Sequence, residues 1–409
     1  MRSKPSSFFW VVPLALAACG HTDVVYDPPD ATAWTSRHPF GAPHLPGGVA
    51  IVSEIGSDSV SFLVLAGGTT LETVPVGIVP LDVNGPHDLA VDPIARRFFT
   101  PLTFPPPVLA PGPHAAHGSS TQPGILIARS LDDLSLFGQA QVDPDPGDVI
   151  LSPDRTRVYV SHFDMVRALA HPGDRAMQLS RVEVVDATSL QVIASVPVCI
   201  AGHEMSITGD GRTVYLACYG DDALAVIDVS VNPPVPTLYP IGGTVASGAP
   251  TYGPYALAVS PDGATVWLPS QPPDTTTTGG GMVFAFDVAT HRFDPARTIY
   301  VHGALPFFPD FTTDGTSMFV PVQSRDGLLR VSLGTPPTVT TQVVFTADQC
   351  LLPHRASLGP DGRVYVLCEG QHTATARAPS VVLAVAPDTL ATLARFPVGI
   401  DPEDISYLH

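Results

Sequence analysis

Three observations along the chain predict an all-β fold, namely a seven-bladed β-propeller with four antiparallel strands in each blade. Many short segments alternate apolar and polar residues with a period of two, which is typical of half-buried strands. Tight turns such as Pro261-Asp262-Gly263 separate neighbouring segments, because Pro fixes φ and Gly allows a positive φ. Groups of four such segments recur about every 40–50 residues, and repeats of that length indicate a propeller.

The stretch from Pro254 to Val301 shows the repeat most clearly. Its sequence begins PYALAVSPDGATVWLPS, passes through a polar insert and continues GGMVFAFDVATHRFDPARTIYV. The alternation in this stretch predicts four strands, at Tyr255–Ser260, Thr265–Pro269, Met282–Asp287 and Arg297–Val301.

The other units follow the same pattern, and one of them is divided between the two ends of the repeat region. Five units open at Pro86, Pro146, Gly202, Pro306 and Pro353. The unit that begins near Gly48 lacks an opening strand, whereas the final segment GIDPEDISYLH matches one. We therefore predict that residues 49–409 form the propeller and that the C-terminal segment completes the first blade, because a closed ring has no unpaired sheet edge.

Residues 1–18 are predicted to be a secretory signal peptide. Arg2 and Lys4 precede a short apolar run, which ends in small residues before Cys19. The run is too short to span a bilayer comfortably. Residues 19–48 show no periodicity and are rich in proline, so we expect them to form a tether that precedes the propeller.

The sequence Leu16-Ala17-Ala18-Cys19 resembles the lipobox of bacterial lipoproteins. The resemblance implies that Cys19 becomes the lipid-modified first residue and that the protein is anchored to a membrane of the cell envelope. Gly20 follows where retention in the inner membrane usually has Asp, so the resemblance favours the outer membrane. The alternative is an ordinary signal cleavage nearby, which would leave Cys19 as a thiol.

Segments such as SPDRTRVYVS, TGDGRTVYLAC and SPDGATVWLPS resemble the YVTN-type repeat. That group of seven-bladed propellers includes surface-layer-like, YncE-like periplasmic and lactonase-like proteins. The resemblance covers roughly residues 50–409 and implies the fold. It implies no catalytic residues, because one propeller frame carries many activities and no catalytic set of the family maps onto this chain.

The composition excludes several classes of function. A formal net charge of −18 makes nucleic acid an unsuitable partner and favours cations or cationic surfaces. The absence of lysine after Lys4 excludes a lysine Schiff base and a phosphate-loop lysine in the mature protein. The sequence also lacks the Gly-x-Ser-x-Gly, His-Glu-x-x-His and Cys-x-x-Cys-His patterns of hydrolases, metalloproteases and covalent haem sites.

One rim of the propeller is predicted to carry the binding site. In a four-strand meander, the start of each innermost strand and the connection between the second and third strands lie on the same rim. Four long inserts fall in that connection, at residues 101–123, 163–180, 270–280 and 370–378, and loops on a rigid frame commonly bind ligands.

Aligning the units on their turns places two consecutive residues of each unit at the mouth of the central channel. We call the first positions the first ring, and its predicted ligand-binding members are His87, His203, Tyr255, His354 and Glu403. We call the following positions the second ring, and its predicted members are Asp88, Asp148, Glu204, Arg355 and Asp404. In the sixth unit Phe307 and Phe308 occupy these two positions.

The chemistry of these rings leaves three alternatives open. Imidazole and carboxylate are ligands for divalent cations, so His87, His203 and His354 could bind a metal ion with the neighbouring acids. The same side chains could instead form hydrogen bonds with exposed backbone around a water-filled channel, or bind a small ligand without metal. A run of Asp143, Asp145 and Asp148 could also hold calcium, although its spacing is not that of an EF-hand loop.

Four cysteines occupy equivalent positions in two units. In each unit one cysteine directly precedes the first strand and the other ends the second strand, so both lie at the same rim. In an exported protein such pairs oxidise, and we predict the disulfides Cys199–Cys218 and Cys350–Cys368. The alternative is thiolate ligation of a metal, since His203 and His354 each follow a cysteine by four residues.

Three functions are compatible with these features. The first is a monomeric, lipid-anchored envelope protein that binds a protein or small-molecule ligand through the loop-bearing rim without catalysis. The second is a metal-dependent, lactonase-type hydrolase in which a cation held by histidines and acids at the channel mouth polarises a carbonyl group. The third is a structural surface-layer component, which would self-associate without a small ligand.

Overall fold

The computed structural model describes residues 48–79, 83–105, 118–372 and 377–408 of the 409-residue chain. The predicted signal peptide, the lipidation site at Cys19 and nearly all of the predicted tether lie outside the described residues. None of the described helices is long and apolar enough to cross a membrane.

The described chain consists almost entirely of short antiparallel strands. The first three blades contain β1 (Val49–Glu54), β2 (Ser59–Val64) and β3 (Thr69–Pro75), then β4 (Ala90–Asp92), β5 (Arg97–Leu102), β6 (Pro123–Ser130) and β7 (Leu136–Pro144), then β8 (Pro146–Leu151), β9 (Arg157–His162), β10 (Ser180–Asp186) and β11 (Val192–Cys199). The fourth and fifth contain β12 (Gly202–Ile207), β13 (Thr213–Cys218), β14 (Ala223–Asp228) and β15 (Val235–Pro240), then β16 (Ala258–Val259), β17 (Thr265–Pro269), β18 (Gly280–Asp287), β19 (Arg292–Phe293) and β20 (Ile299–His302).

The remaining strands complete the sixth, seventh and first blades. They are β21 (Asp310–Phe311), β22 (Ser317–Val322), β23 (Gly327–Ser332) and β24 (Thr338–Val344), then β25 (Pro353–Leu358), β26 (Val364–Cys368), the small hairpin β27 (Gln371–His372) and β28 (Arg377–Ala378), β29 (Val381–Val385), β30 (Thr392–Pro397) and finally β31 (Pro402–Leu408). The described residues also form three short α-helices, α1 (Met165–Ala170), α2 (Arg175–Gln178) and α3 (Thr275–Thr278).

The sheets form a seven-bladed propeller, as the repeat predicted. The first blade has the order β3-β2-β1-β31, so its innermost strand comes from the C-terminal end of the chain. Val49 pairs with Leu408 and Ile51 pairs with Ser406. The predicted closure of the ring by the C-terminal segment is therefore confirmed.

Most of the strands predicted between Pro254 and Val301 are confirmed. Strand β17 has the predicted bounds, and β18 begins two residues earlier than predicted. The predicted strand Tyr255–Ser260 is shorter than expected, since only Ala258–Val259 forms β16. The outermost strand is divided into β19 and β20, because a turn at Pro295–Arg297, capped by the Asp294 side chain, interrupts it. In the predicted turn, Asp262 accepts hydrogen bonds from Ser260 Oγ (2.6 Å) and from the Ala264 N–H (3.0 Å).

The hydrophobic core lies between adjacent blades, where the inner strands face each other. Each inner strand buries its alternating large apolar side chains, and the most completely buried include Trp267, Tyr159, Phe62 and Phe319. Strands at the outer circumference expose part of their apolar residues, for example Phe137 at 58% and Val344 at 67%. The blades are thus held together by inter-sheet packing, and the rims and the central channel carry the polar chemistry.

Both predicted disulfides are present. The Sγ–Sγ distances are 2.12 Å for Cys199–Cys218 and 2.01 Å for Cys350–Cys368. Each bond links the chain just before an innermost strand to the end of the neighbouring second strand. Disulfides of this structural kind form in oxidising compartments, which indicates that the protein is extracytoplasmic.

Candidate binding site at the channel mouth

An irregularity at the start of each innermost strand explains how two consecutive residues reach the channel. From the pair Pro146–His162 to the pair Val149–Val160, the innermost strand advances by three residues while its partner advances by two. The other six blades show the same excess of one residue between their first and next pairs. Successive residues of a regular strand point to opposite faces, whereas a bulge lets both point to the same side.

The second ring is organised around Arg355 of the seventh blade. Its guanidinium contacts Glu204 of the fourth blade (Nη1–Oε1 3.2 Å, Nη2–Oε2 3.3 Å) and Asp404 of the first blade (Nε–Oδ1 3.2 Å). Arg355 also lies 3.6 Å from Asp88 of the second blade and stacks over the Phe308 ring at 4.4 Å. One guanidinium group therefore joins four blades across the channel.

Carboxyl groups outnumber guanidinium groups within this ring. Four carboxyl groups act on Arg355, those of Glu204, Asp404, Asp88 and Asp148. Burial raises the pKa values of Asp88 and Glu204 well above the usual range and raises the pKa of Asp148 to about 6; the charges of neighbouring carboxylates add to these shifts, and Arg355 opposes them. Burial alone would lower the pKa of Arg355, but the surrounding carboxylates raise it well above its usual value.

Three of these carboxyl groups could bind a cation together. Among the residues that the structure describes, Asp88, Asp148 and Glu204 each place a ligand atom within 4.8 Å of the others. Three carboxylate oxygens suit Ca²⁺ or Mg²⁺ better than the softer metal ions that prefer nitrogen or sulfur. Arg355 already compensates part of their charge, so a bound cation would share these ligands with the guanidinium.

In the first ring, His354 lies between two carboxylates. Its Nδ1 is 2.9 Å from Glu369 Oε1, and its Nε2 is 3.3 Å from Glu403 Oε2. The same oxygen of Glu403 lies 3.9 Å from His87 Nε2. Glu369 was not predicted, although it directly follows Cys368 and therefore lies beside the start of the same innermost strand. Gln323 donates a second hydrogen bond to Glu369 Oε1 at 2.5 Å.

The opposite half of the first ring is aromatic. His203 stacks on Tyr255 with 3.8 Å between ring centroids, and the His203 and His87 rings meet edge to face with 5.4 Å between centroids. Phe163 begins the third-blade insert. Its ring packs edge to face against the rings of His203 and Tyr255, with 5.5 and 5.2 Å between ring centroids. Phe163 was not predicted, because it belongs to an insert outside the repeat.

All three histidines thus belong to one ring, but they have different neighbours. His87 and His354 both face Glu403, and His354 also stacks on Phe308; His203 packs between aromatic side chains. Their side chains are almost completely buried, with 2%, 0% and 1% exposed for His87, His203 and His354. Their role as metal ligands stays a prediction.

The inserts lie in the predicted connections. They join β5 to β6, β9 to β10, β17 to β18 and β26 to β29, although parts of the first and last lie outside the described residues. The third-blade insert forms α1 and α2 and is fixed to the fourth blade by a two-pronged ion pair between Arg175 and Asp221 (2.7 and 2.8 Å). This insert brings Phe163 over the aromatic half of the mouth.

The acidic run that could have bound calcium is divided among three surroundings. Asp143 pairs with Arg167 at 2.9 Å and with Arg181 at 3.6 Å, on the outer side of the insert. Asp148 belongs to the second ring and accepts a hydrogen bond from the Met205 N–H. Asp145 is buried, and neither of its carboxylate oxygens has a hydrogen-bond partner among the described residues.

Fold and site together define an extracytoplasmic seven-bladed β-propeller with a charged and aromatic channel mouth. The chain matches no protein-family model, and no curated protein matches it. Solved structures share the fold. The periplasmic gluconolactonase of Pseudomonas aeruginosa is 16% identical with a TM-score of 0.63, over 88% of this chain and 99% of that one. A candidate 6-phosphogluconolactonase from Bacteroides uniformis is 13% identical with a TM-score of 0.62, over 88% and 100%.

A third similar structure has a different activity. Hydrazine synthase from Kuenenia stuttgartiensis is 17% identical with a TM-score of 0.58, over 80% of this chain and 90% of that one. At these identities the comparisons establish the fold alone, and function has to be argued from the site.

Proposed function

We propose that the protein is a non-catalytic binding module that takes a small, positively charged ligand at the channel mouth. The observation that carries the proposal is the excess of carboxyl groups over guanidinium in the second ring, four against one. A cation that reaches this ring exchanges its water shell for carboxylate oxygens in a site of low dielectric, where electrostatic attraction is stronger than in water.

The position of the site supports the same proposal. Each member of the first ring directly precedes a member of the second ring in the sequence; His87 and His354 face Glu403, and His203 stacks on Tyr255. An aromatic wall beside carboxylates suits organic cations, which combine charge with apolar surface. The described parts of the long inserts lie in the connections of this rim, and the inserts would select the ligand by its shape.

We also propose that the protein works in the cell envelope, anchored to a membrane by a lipid. The two disulfides are compatible with an envelope location, and the lipobox-like sequence before Cys19 supports lipid anchoring, with Gly20 favouring the outer membrane. The binding rim would then act as a monomeric unit held near the membrane by its N-terminal lipid, with a protein or small-molecule partner and without nucleic acid. Metabolic labelling with a fatty acid, compared between wild type and Cys19→Ser, tests the anchor.

A second function, lactone hydrolysis, is favoured by one specific feature. The pKa of about 6 at Asp148, beside the guanidinium of Arg355, combines a possible general base with a cation able to stabilise an oxyanion. Two of the similar structures are also named as lactonases. In this alternative Asp148 removes a proton from water while the water oxygen bonds to the lactone carbonyl carbon, and Arg355 stabilises the charge that develops on the carbonyl oxygen. The ring C–O bond then breaks, and Asp148 returns the proton to the departing ring oxygen.

Calorimetric titration distinguishes the two functions. Ca²⁺ and the diamine putrescine serve as cationic probes, and glucono-δ-lactone serves as the substrate probe. The binding module predicts that a cation binds and that Glu204→Gln weakens its binding at least tenfold, whereas Glu72→Gln on the exposed strand β3 leaves it unchanged. Lactone turnover that is lost in Asp148→Asn would establish the hydrolase instead. No cation binding and no turnover would overturn both.

A further inference from the structure

A second group of charged side chains lies at the base of the third-blade insert, outside the two channel rings. Its members are Asp143, Asp145, His162, Asp164, Arg167, Arg181 and Glu183. Most of them are paired. Arg167 contacts Asp143 (2.9 Å) and Asp164 (2.8 Å), and Glu183 contacts His162 at 3.3 Å and accepts the Asp143 N–H at 2.9 Å.

Asp145 is the exception in this group. Its side chain is completely buried, and neither carboxylate oxygen has a hydrogen-bond partner among the residues that the structure describes. Burial and the nearby charge of Asp164 raise the pKa of Asp145 to about 8. The N–H groups of Ser120 and Gly118 lie near the carboxylate and lower its pKa in part, but neither meets hydrogen-bond geometry.

The repeat provides an internal comparison for this position. Asp145 directly precedes the innermost strand, its φ is +48°, and its carbonyl accepts the N–H of the residue after the second strand, here Phe163 at 2.8 Å. The equivalent residues with a positive φ in other blades are Gly85, Ala201, Gly253, Leu352 and Asp401. Four of these five carry no charge, so the fold needs the backbone conformation but not a buried carboxylate.

The surrounding charges do not compensate Asp145. Carboxylates outnumber guanidinium groups here. There are four carboxylates, those of Asp143, Asp145, Asp164 and Glu183, and two guanidinium groups, those of Arg167 and Arg181. A protein buries a carboxylate only when a proton, a counter-charge or a metal ion compensates it. The two free oxygens of Asp145 face the segment around Gly118 and Ser120 on one side and Asp164 on the other.

We propose that Asp145 and Asp164 bind a Ca²⁺ ion that links the second-blade insert to the third-blade insert. Ca²⁺ takes about six to eight oxygen ligands, often including carboxylates in two-oxygen contact, and backbone carbonyl groups and water complete its shell. The ion fixes the start of the third-blade insert, where Phe163 contacts His203 and Tyr255 of the channel mouth. It therefore orders one wall of the mouth, and its existence does not depend on which ligand the channel takes.

The test measures Ca²⁺ alone. The full-length mature protein is stripped with a chelator, and bound Ca²⁺ is counted by equilibrium dialysis with metal analysis. We expect Asp145→Asn to lose one equivalent of Ca²⁺. The control Asp401→Asn, which changes the acid at the equivalent backbone position of the first blade, should keep it. A loss in Asp88→Asn that is absent from Asp145→Asn would assign the ion to the second ring instead.

A second measurement covers the case in which Asp145→Asn fails to fold. In wild type, Ca²⁺ should slow proteolytic cleavage within residues 163–180 by at least fivefold, and Mg²⁺ at the same concentration should protect less, because it needs a stricter octahedral shell. Asp164→Asn keeps the hydrogen-bond acceptor for the Arg167 N–H but removes the charge, so it should abolish this protection. Equal Ca²⁺ binding by wild type and Asp145→Asn, or cleavage independent of Ca²⁺, would overturn the proposal.

Discussion

The guanidinium of Arg355 in the seventh blade forms a two-pronged ion pair with the carboxylate of Glu204 in the fourth blade, at 3.2 and 3.3 Å. These residues lie 151 positions apart in the sequence and on nearly opposite sides of the ring. Arg355 therefore joins blades that share no sheet, and it is both a structural link and a member of the candidate binding site.

Replacing Arg355 should destabilise the protein in a pH-dependent manner. In Arg355→Met the four carboxyl groups lose their counter-charge, and we expect a loss of about 3–5 kcal/mol in the free energy of unfolding near pH 7.5. The pKa values of Asp88, Asp148 and Glu204 are already raised in the folded state and would rise further. The folded state then holds more protons than the unfolded state, so the loss grows as pH rises and shrinks towards pH 5.

Urea denaturation at pH 5 and pH 7.5 checks this expectation. The control is Arg363→Met. Arg363 is more exposed than Arg355 and forms a surface ion pair with Asp361 at 3.6 Å. Surface ion pairs of this kind contribute about 0–1 kcal/mol. The double variant Arg355→Met/Glu204→Gln should recover part of the loss at pH 7.5. An Arg355→Met protein whose stability defect is the same at both pH values would contradict the electrostatic explanation.

Removing either disulfide should lower stability by a similar amount. The two bonds join cysteines that lie 19 and 18 positions apart in the sequence. Cross-links that close loops of this size contribute about 2–4 kcal/mol, because they restrict the unfolded chain. We expect Cys199→Ala/Cys218→Ala and Cys350→Ala/Cys368→Ala to lower the urea midpoint by comparable amounts. Cys368 directly precedes Glu369, so the second variant should also alter ligand binding at the mouth.

The repeat made much of this fold predictable from the sequence. The strand period and the turns determined the blades, the unmatched first unit indicated closure by the C-terminal segment, and the two cysteine pairs occupied equivalent positions. These features are local or recur at a fixed interval, so alignment of the units was enough to locate them.

The parts of the site that the sequence could not predict depend on other information. Glu369 and Phe163 lie at the ends of second strands, where each unit differs, so no alignment of repeats singles them out. The reach of Arg355 to Glu204 depends on the diameter of the closed ring and on a side chain that crosses it. The bulge that turns two consecutive residues into the channel leaves no pattern in a single sequence. Alignment of the repeat units nevertheless predicted that two consecutive residues of each unit lie at the channel mouth.

Removing the C-terminal strand should prevent formation of a soluble monomer. Deletion of residues 402–409 exposes the edge of β1, whose residues from Val49 to Glu54 pair with β31 in the intact protein. An exposed, apolar strand edge promotes association with other chains. We expect the truncated protein to aggregate in size-exclusion chromatography. A peptide with the sequence DPEDISYLH added during refolding should restore monomer, and a peptide carrying Ile405→Asp should not, since Ile405 is 6% exposed. Monomeric truncated protein without peptide would contradict the closure argument.

Asp145 should make stability depend on pH in the absence of Ca²⁺. Its pKa is about 8 in the folded protein and near the ordinary value of 3.8 when unfolded, so the folded state binds the extra proton between these values. Stability is therefore highest below pH 4 with respect to this group and falls as pH rises towards 8, by roughly 4–6 kcal/mol in total. In Asp145→Asn this contribution disappears, and the variant should be more stable than chelator-treated wild type at pH 8.

Thermal unfolding of both proteins from pH 5 to pH 8.5, with a chelator and then with Ca²⁺, measures this difference. Asp401→Asn is the matched control, because Asp401 has a similar φ of +58° at the equivalent position but is only half-buried. Ca²⁺ should abolish the decline of wild type towards pH 8, since the ion compensates the ionised carboxylate, and should leave Asp145→Asn unchanged. Parallel pH profiles for wild type and Asp145→Asn would show that the buried carboxylate is compensated by another group.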